Sequence, residues 1–203
     1  MNKTLLIILG VLIILILAVA TTYNGLVGSY QAVDASWAQV QNVYQRRADL
    51  IPNLVQTVQG AANFEKSTIV EVTDARASVG RVQINQNQAP TDAAQLQQFQ
   101  QAQGQLSTAL SRLLVVSENY PDLKASANFR DLQAQLEGPE NRIAVERGRF
   151  NEVVMAYNTK IRSIPAVFFA AMLGFQQKPY FQSTAGAETP PAVKFDFGTP
   201  AVK

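Results

Sequence analysis

Arg46, Arg47, Asp49 and Asn53 lie close together around Pro52 and form the best-defined polar cluster in the chain. Pro52 has no N–H, so the carbonyl of Ala48 loses its helical partner and a kink is expected there. Two guanidiniums, a carboxylate and an amide therefore accompany a free acceptor, a combination suited to recognising a partner's charged or hydrogen-bonding groups. The same residues can instead serve the fold. Arg47 falls on an otherwise apolar seam, where a buried guanidinium requires a carboxylate from a facing helix. Glu140 and Glu146 are the natural partners. This internal ion pair is the simpler reading; beside Glu140, Asn141-Arg142 can either specify packing geometry or form a ligand-binding amide clamp, with packing preferred.

Other chemistry is narrowly bounded. The 203-residue chain contains no His and no Cys, which removes the commonest general base, thiol nucleophiles, thiolate metal sites and disulfides. Seventeen basic and fifteen acidic side chains are interspersed for a net charge of +2, so neither a nucleic-acid footprint nor a polybasic lipid patch is present. Glu65, Glu71 and Asp74 have nothing beside them that marks a cleft, and Ser36 and Ser163 lack a nucleophile's context. No phosphate loop or metal motif occurs. No catalytic residue, cofactor or metal is therefore expected. Asn24, Asn151 and Asn158 each follow an aromatic residue. Asparagine beside a core seam specifies packing geometry, with a ligand-binding amide clamp as the alternative. Tyr23, Tyr30, Trp37 and Tyr44 recur every seven residues. They can stack on a glycan, but at this spacing they belong in a core, except Tyr23, whose position suits a membrane interface.

These residues must be positioned by helices. Residues 5–20 are apolar throughout, and 4–22 would span about 28 Å as a helix, close to the hydrocarbon thickness of a bilayer. Lys3 precedes the run and no basic residue follows until Arg46, which puts the N-terminus in the cytoplasm and the body outside. Ala18-Val19-Ala20 also fits a signal-peptide cleavage site. A retained anchor is favoured because the heptads begin directly after the run, and either reading exports the body. The expected organisation is an anchor or signal sequence at 1–22, a helical bundle at 23–182 and a Pro-rich extended tail at 183–203.

Within the body, residues 23–62 carry Tyr23, Tyr30, Trp37, Tyr44, Ile51 and Val58 at sevens, with Leu26, Val33, Val40, Arg47, Leu54 and Ala61 as companions. A second helix is expected over 64–84, followed by a loop to Asp92, which with Gln95 can cap a third helix running to about Asn119. The glutamine-rich stretch from Gln97 to Gln105 keeps helical spacing through Leu96, Phe99 and Leu106, so it reads as a solvated helix face. Phe129, Leu136, Ile143, Phe150, Tyr157 and Ile164 define a fourth helix, with a kink or break predicted near Glu137 because of Gly138-Pro139. Residues 166–173 form a short apolar helix. Val193, Phe195 and Phe197 alternate with charged residues, as an extended segment would. The fold class is all-α: an N-terminal transmembrane helix, then an antiparallel bundle of about four long helices.

Several motifs carry a resemblance. Tyr23-Asn24-Gly25-Leu26-Val27 is followed by Arg46-Arg47-Ala48-Asp49-Leu50-Ile51-Pro52-Asn53-Leu54-Val55. Then come Glu118-Asn119-Tyr120-Pro121-Asp122-Leu123-Lys124, Glu140-Asn141-Arg142-Ile143, Tyr157-Asn158, Gly174-Phe175 and Tyr180-Phe181. Across its length the chain resembles the LemA family of bacterial membrane proteins. The resemblance implies a single membrane helix, an antiparallel bundle outside the cytoplasm and no accepted enzymatic activity. Phe64 stands where many relatives carry His, which leaves a metal or acid–base role beside Glu65 unsupported. Pro139 replaces a frequent Thr.

The expected protein is a non-enzymatic scaffold or interaction module at the bacterial cytoplasmic membrane, with its body on the periplasmic side. Its expected partners are bilayer lipid along residues 5–20, other envelope proteins and a second copy of itself, with no nucleic acid and no metal. The alternative is a receptor-like module for a cell-wall glycan or small ligand. An enzyme would need two or more acids converging in a pocket.

Overall fold

A computed structural model of the protein describes residues 3–61, 64–82 and 88–182. The tail expected at 183–203, with Val193, Phe195 and Phe197, lies outside the described residues, as does the predicted end of the second helix at Ile84. The described chain is all-α: α1 (Lys3–Gln59), α2 (Lys66–Arg81), α3 (Ala93–Ser117), the short α4 (Pro121–Ala125) and α5 (Ala127–Arg162), followed by a 3-10 turn at Ala166–Phe168.

The heptads do what their spacing requires. Leu26, Val33, Trp37, Val40, Ile51, Leu54 and Val58 of α1 are sealed from solvent, as are Phe129, Phe150, Val154 and Tyr157 of α5. The two helices run antiparallel along most of the body. Tyr30 meets Tyr157 edge to face at 6.0 Å and Trp37 meets Phe150 at 5.5 Å, so seven residues up one helix match seven residues down the other. α2 and α3 pack against each other and complete the bundle. Its core divides into a half containing Trp37, Phe99 and Phe150 and a half containing Leu54, Leu113 and Phe129.

Caps and breaks follow local chemistry. Asp92 accepts a hydrogen bond from the Ala94 N–H at 2.8 Å and Ser126 accepts one from Phe129 at 3.2 Å, each opening a helix. The break predicted near Glu137 is not found, because α5 continues through Pro139. Pro139 is itself buried, and Leu136 and Ile143 on either side of it are both held in the core, so packing holds the helix through the proline. α1 likewise continues through Pro52. The carbonyl of Ala48, deprived of its helical donor, accepts a hydrogen bond from Arg76 Nε of α2 at 3.2 Å. That acceptor is therefore not free for a partner.

Two glycines have specific reasons. Gly25 allows Lys160 to cross from α5 and donate to its carbonyl at 2.6 Å; a Cβ there would come within 3.1 Å of the ammonium. Gly174 closes the apolar segment 166–173, which forms its 3-10 turn and then further turns. The Phe175 N–H reaches the Ala170 carbonyl at 2.9 Å, and the Gly174 N–H reaches that of Ala171 at 3.2 Å. This is the Schellman pattern, and Gly174 takes the required left-handed conformation at φ +82°.

Alanine at two glycines should separate these requirements. Gly174→Ala is expected to destabilise by about 1 kcal/mol, since an L side chain is strained at positive φ. Gly148→Ala, inside α5 with open space around its Cβ, should stabilise by up to about 1 kcal/mol. Thermal unfolding of the detergent-solubilised chain, followed by helical circular dichroism, measures both. Shifts of the same sign would contradict this account.

Candidate functional site

Arg47 is buried, at 1% exposure, where α1, α3 and α5 meet. One guanidinium nitrogen donates to Glu140 Oε1 at 2.7 Å and to Ser107 Oγ at 2.8 Å; the other donates to the side-chain oxygen of Gln103. The guanidinium carbon also lies 5.3 Å from the centroid of the Tyr44 ring. Glu140 is 48% exposed, so the ion pair runs from the core to the surface of α5. Water moderates the carboxylate's desolvation while the guanidinium stays fixed.

The other residues of the predicted clusters do not join this node. Arg46, Asp49 and Asn53 lie on the exposed face of α1, where Asp49 accepts a hydrogen bond from Gln45 at 2.7 Å. Asn141 and Arg142 lie on the exposed face of α5. Arg46 and Arg142 make no ion pair among the described residues. Glu146 pairs with Arg149 of its own helix at 2.8 Å. The seven residues thus divide into one ion pair, buried at its guanidinium and open to water at its carboxylate, and two solvated patches.

A second polar assembly involves two of the asparagines and the segment that follows Gly174. Residues 175–182 lie extended along α5. Asn158 donates to the carbonyl of Lys178 and accepts from its N–H, both at 2.9 Å. One heptad earlier, Asn151 does the same with Phe181, again at 2.9 Å. Each amide imitates one rung of a β-ladder and holds the strap to the helix. The Tyr157 hydroxyl donates to the Gln176 carbonyl at 2.9 Å, and Arg147 and Gln100 both donate to the Gln182 carbonyl at 3.0 Å. Phe181 packs on both Trp37 and Phe150, closing a three-ring cluster. The Lys178 ammonium is buried, 4.5 Å from the Tyr30 ring centroid and 2.8 Å from the Ala89 carbonyl.

These amides therefore clamp the protein's own backbone. Asn24, by contrast, is exposed at the base of the body. Trp37 and Tyr44 are core residues and present no stacking face to a sugar. Of the acids of α2 and its N-cap, Glu71 pairs with Arg112 at 3.1 Å and Glu65 accepts from Ser67 at 2.6 Å, while Glu71 and Asp74 line one open groove with Lys66. No group of three acids able to hold a metal occurs among the described residues.

Gln103, Ser107, Lys178 and Phe181 were not anticipated from sequence. Gln103 did carry a signal. It sits four residues after Phe99 and three before Leu106, on the core line of α3, unlike its solvated glutamine neighbours. Nothing local distinguishes Lys178, because its burial depends on the strap returning to α1.

Burial pushes the Tyr157 hydroxyl up to about 12, with smaller contributions from Tyr30 and Asp34. Burial also raises Tyr44, against the opposing charges of Arg147 and Arg47.

The LemA family model matches residues 36–195. The magnetosome protein MamQ of Magnetospirillum gryphiswaldense is 27% identical over 186 residues, covering 83% of this chain and 67% of the relative. Magnetosome protein MamQ 2 of Paramagnetospirillum magneticum gives the same identity and coverage. Protein LemA of Metamycoplasma hominis is 22% identical over 161 residues, covering 79% of this chain and 69% of the relative.

Two measurements follow from the buried groups. Arg47→Ala should destabilise by about 3–5 kcal/mol, because it leaves a cavity and unpaired groups on α3. Glu140→Gln should cost about 1 kcal/mol, since water and the remaining amide oxygen still reach the guanidinium. Equal losses in denaturant titrations would contradict the asymmetry in burial. For pH, a tyrosine pKa raised in the folded state contributes stability that is complete below the unfolded value of about 10 and is lost as pH rises through the folded value. Stability is therefore expected to fall between about pH 10 and 12, with a late phenolate absorbance phase that Tyr157→Phe removes.

Proposed function

Because the chain belongs to the LemA family, we propose that it is a membrane-anchored, non-enzymatic helical scaffold of the bacterial cell envelope. Its anchor would lie in the cytoplasmic membrane and its body on the periplasmic side. The observation that carries this reading is the continuity of α1, whose 57 residues run from Lys3 to Gln59 as one helix about 85 Å long. The large apolar side chains from Leu5 to Leu17 are exposed along it, within a run, 4–22, that spans about 28 Å as a helix, close to the hydrocarbon thickness of a bilayer. The same helix then supplies one whole side of the bundle core. An enzyme on a tether gains reach from a flexible linker. Here anchor and body share a rigid rod, which fixes the height and orientation of the bundle above a membrane and suits a platform for other proteins.

The polar chemistry agrees with that role. Arg47, Asn151, Asn158 and Lys178 are engaged with the chain's own groups. Two of the curated relatives are named for a cell structure, the magnetosome, rather than for a reaction. The exposed residues Arg46, Asp49 and Asn53 on α1 and Asn141 and Arg142 on α5 are the surfaces we assign to partners. These would be other envelope proteins or a second copy.

Photo-crosslinkers at Arg46 and Arg142, activated in intact membranes, test this reading. A discrete adduct lost on charge reversal of the neighbouring residue is the expected result. Absence of any specific adduct, including a self-adduct, would overturn it. In parallel, protease added to spheroplasts should remove a C-terminal tag from a membrane-bound, full-length product. Protection of the tag would refute a periplasmic body.

A further inference from the structure

The segment between α5 and the strap is packed inside out. Ala166 and Ala170 turn inward and are buried. The large apolar side chains face away: Ile164 is 79% exposed, Phe168 67% and Met172 82%, with Val167 and Leu173 also open. A segment adapted to water alone would bury the large side chains and expose the alanines. No charged residue occurs between Arg162 and Lys178.

Its place in the fold identifies what covers it. Leu173 lines a groove with Leu15, Ile16, Val19 and Tyr23 of α1. Phe175 fixes the other end, packing edge to face on Tyr23 at 5.9 Å. The apolar turn therefore lies beside the last turns of the membrane-spanning stretch. Leu15 and Ile16 are about 6–8 Å below Ala20 at 1.5 Å per residue. That matches the roughly 5–10 Å depth at which interfacial apolar segments sit. Polar groups bracket it at the expected level: Arg162 is exposed at the end of α5, Tyr23 is 43% exposed, and Gln176 and Gln177 are exposed where the strap begins.

We infer that residues 164–173 are a second membrane contact, an apolar wedge inserted into the body-side leaflet of the bilayer that α1 crosses. This rests on the anchor reading proposed above. The wedge gives the body two points of attachment, the helix and the turn beside it, and so fixes its tilt as well as its height. Lys160, bonded across to Gly25 and Ser29, ties the two attachments together just above the interface.

The chain has no cysteine, so single-cysteine labels need no background substitution. Phe168→Cys, Met172→Cys, Leu12→Cys and Val115→Cys would each be labelled with a bimane fluorophore in the full-length chain. Each would be reconstituted into vesicles of phosphatidylethanolamine and phosphatidylglycerol brominated at shallow or deep acyl positions. At positions 168 and 172 the expected result is about twofold quenching, greatest with shallow bromines, as an interfacial depth requires. Leu12→Cys should respond most to deep bromines and Val115→Cys to neither. Quenching at position 12 without quenching at 168 or 172 overturns the wedge and leaves the anchor standing. No quenching at any of the three overturns both. Efficient bismaleimide crosslinking between two Met172→Cys chains, without bromolipid quenching, would seat a second copy on this face and also overturn the wedge.

Discussion

A heptad seam is degenerate in steps of seven. Sliding α5 along α1 by one heptad would still set apolar residues against apolar residues, so periodicity alone does not fix how the two helices align. Arg47 removes that freedom. It is the one charged position on an otherwise apolar line, and its guanidinium is fully buried. A slip of seven residues would carry Glu140 about 10 Å away and leave an uncompensated charge in the core, a cost of several kcal/mol. The observed register, with Arg47 opposite Glu140, also brings Trp37 to Phe150 and Tyr30 to Tyr157. Because Gln103 and Ser107 also accept from the guanidinium, the same charge sets the height of α3 against the other two helices.

The strap extends this logic to the end of the body nearer the anchor. An extended segment beside a helix has no ladder to satisfy its backbone. Asn151 and Asn158 supply two rungs, spaced to match the three-residue step from Lys178 to Phe181. Phe181 can then pack on both Trp37 and Phe150, where α1 and α5 meet. Four candidate binding residues of the sequence, Trp37, Tyr44, Asn151 and Asn158, are thereby accounted for by the protein's own packing. The partner surfaces proposed above therefore lie on the exposed faces of α1 and α5.

At that end the fold joins two environments through a single helix. α1 passes from residues whose side chains are exposed all round to residues whose seam is sealed, without a change of helix. Ile164, Phe168 and Met172 face outward beside it, which is the basis of the second membrane contact proposed above. Membrane and bundle thus act as two solvents for one continuous structure.

Helix positions, the apolar run and the core line of α1 were legible in the sequence, because each rests on local spacing, and the family was legible in its motifs. A heptad declares its buried face wherever its partner lies. Arg47 announced its need for a carboxylate for the same reason: a charge on an apolar line is anomalous before any fold is known. Its other partners could not be read. Gln103 resembles the glutamines around it until α3 is placed, and Lys178 is an ordinary loop lysine until the strap returns to Tyr30 and Ala89. The two proline positions make the same point. Sequence correctly located the lost donor at Pro52, but only tertiary packing brings Arg76 to the orphaned carbonyl and keeps α5 continuous across Pro139. Local periodicity specifies which face is buried; which groups meet there is decided by contacts between residues far apart in the chain, on which local spacing carries no information.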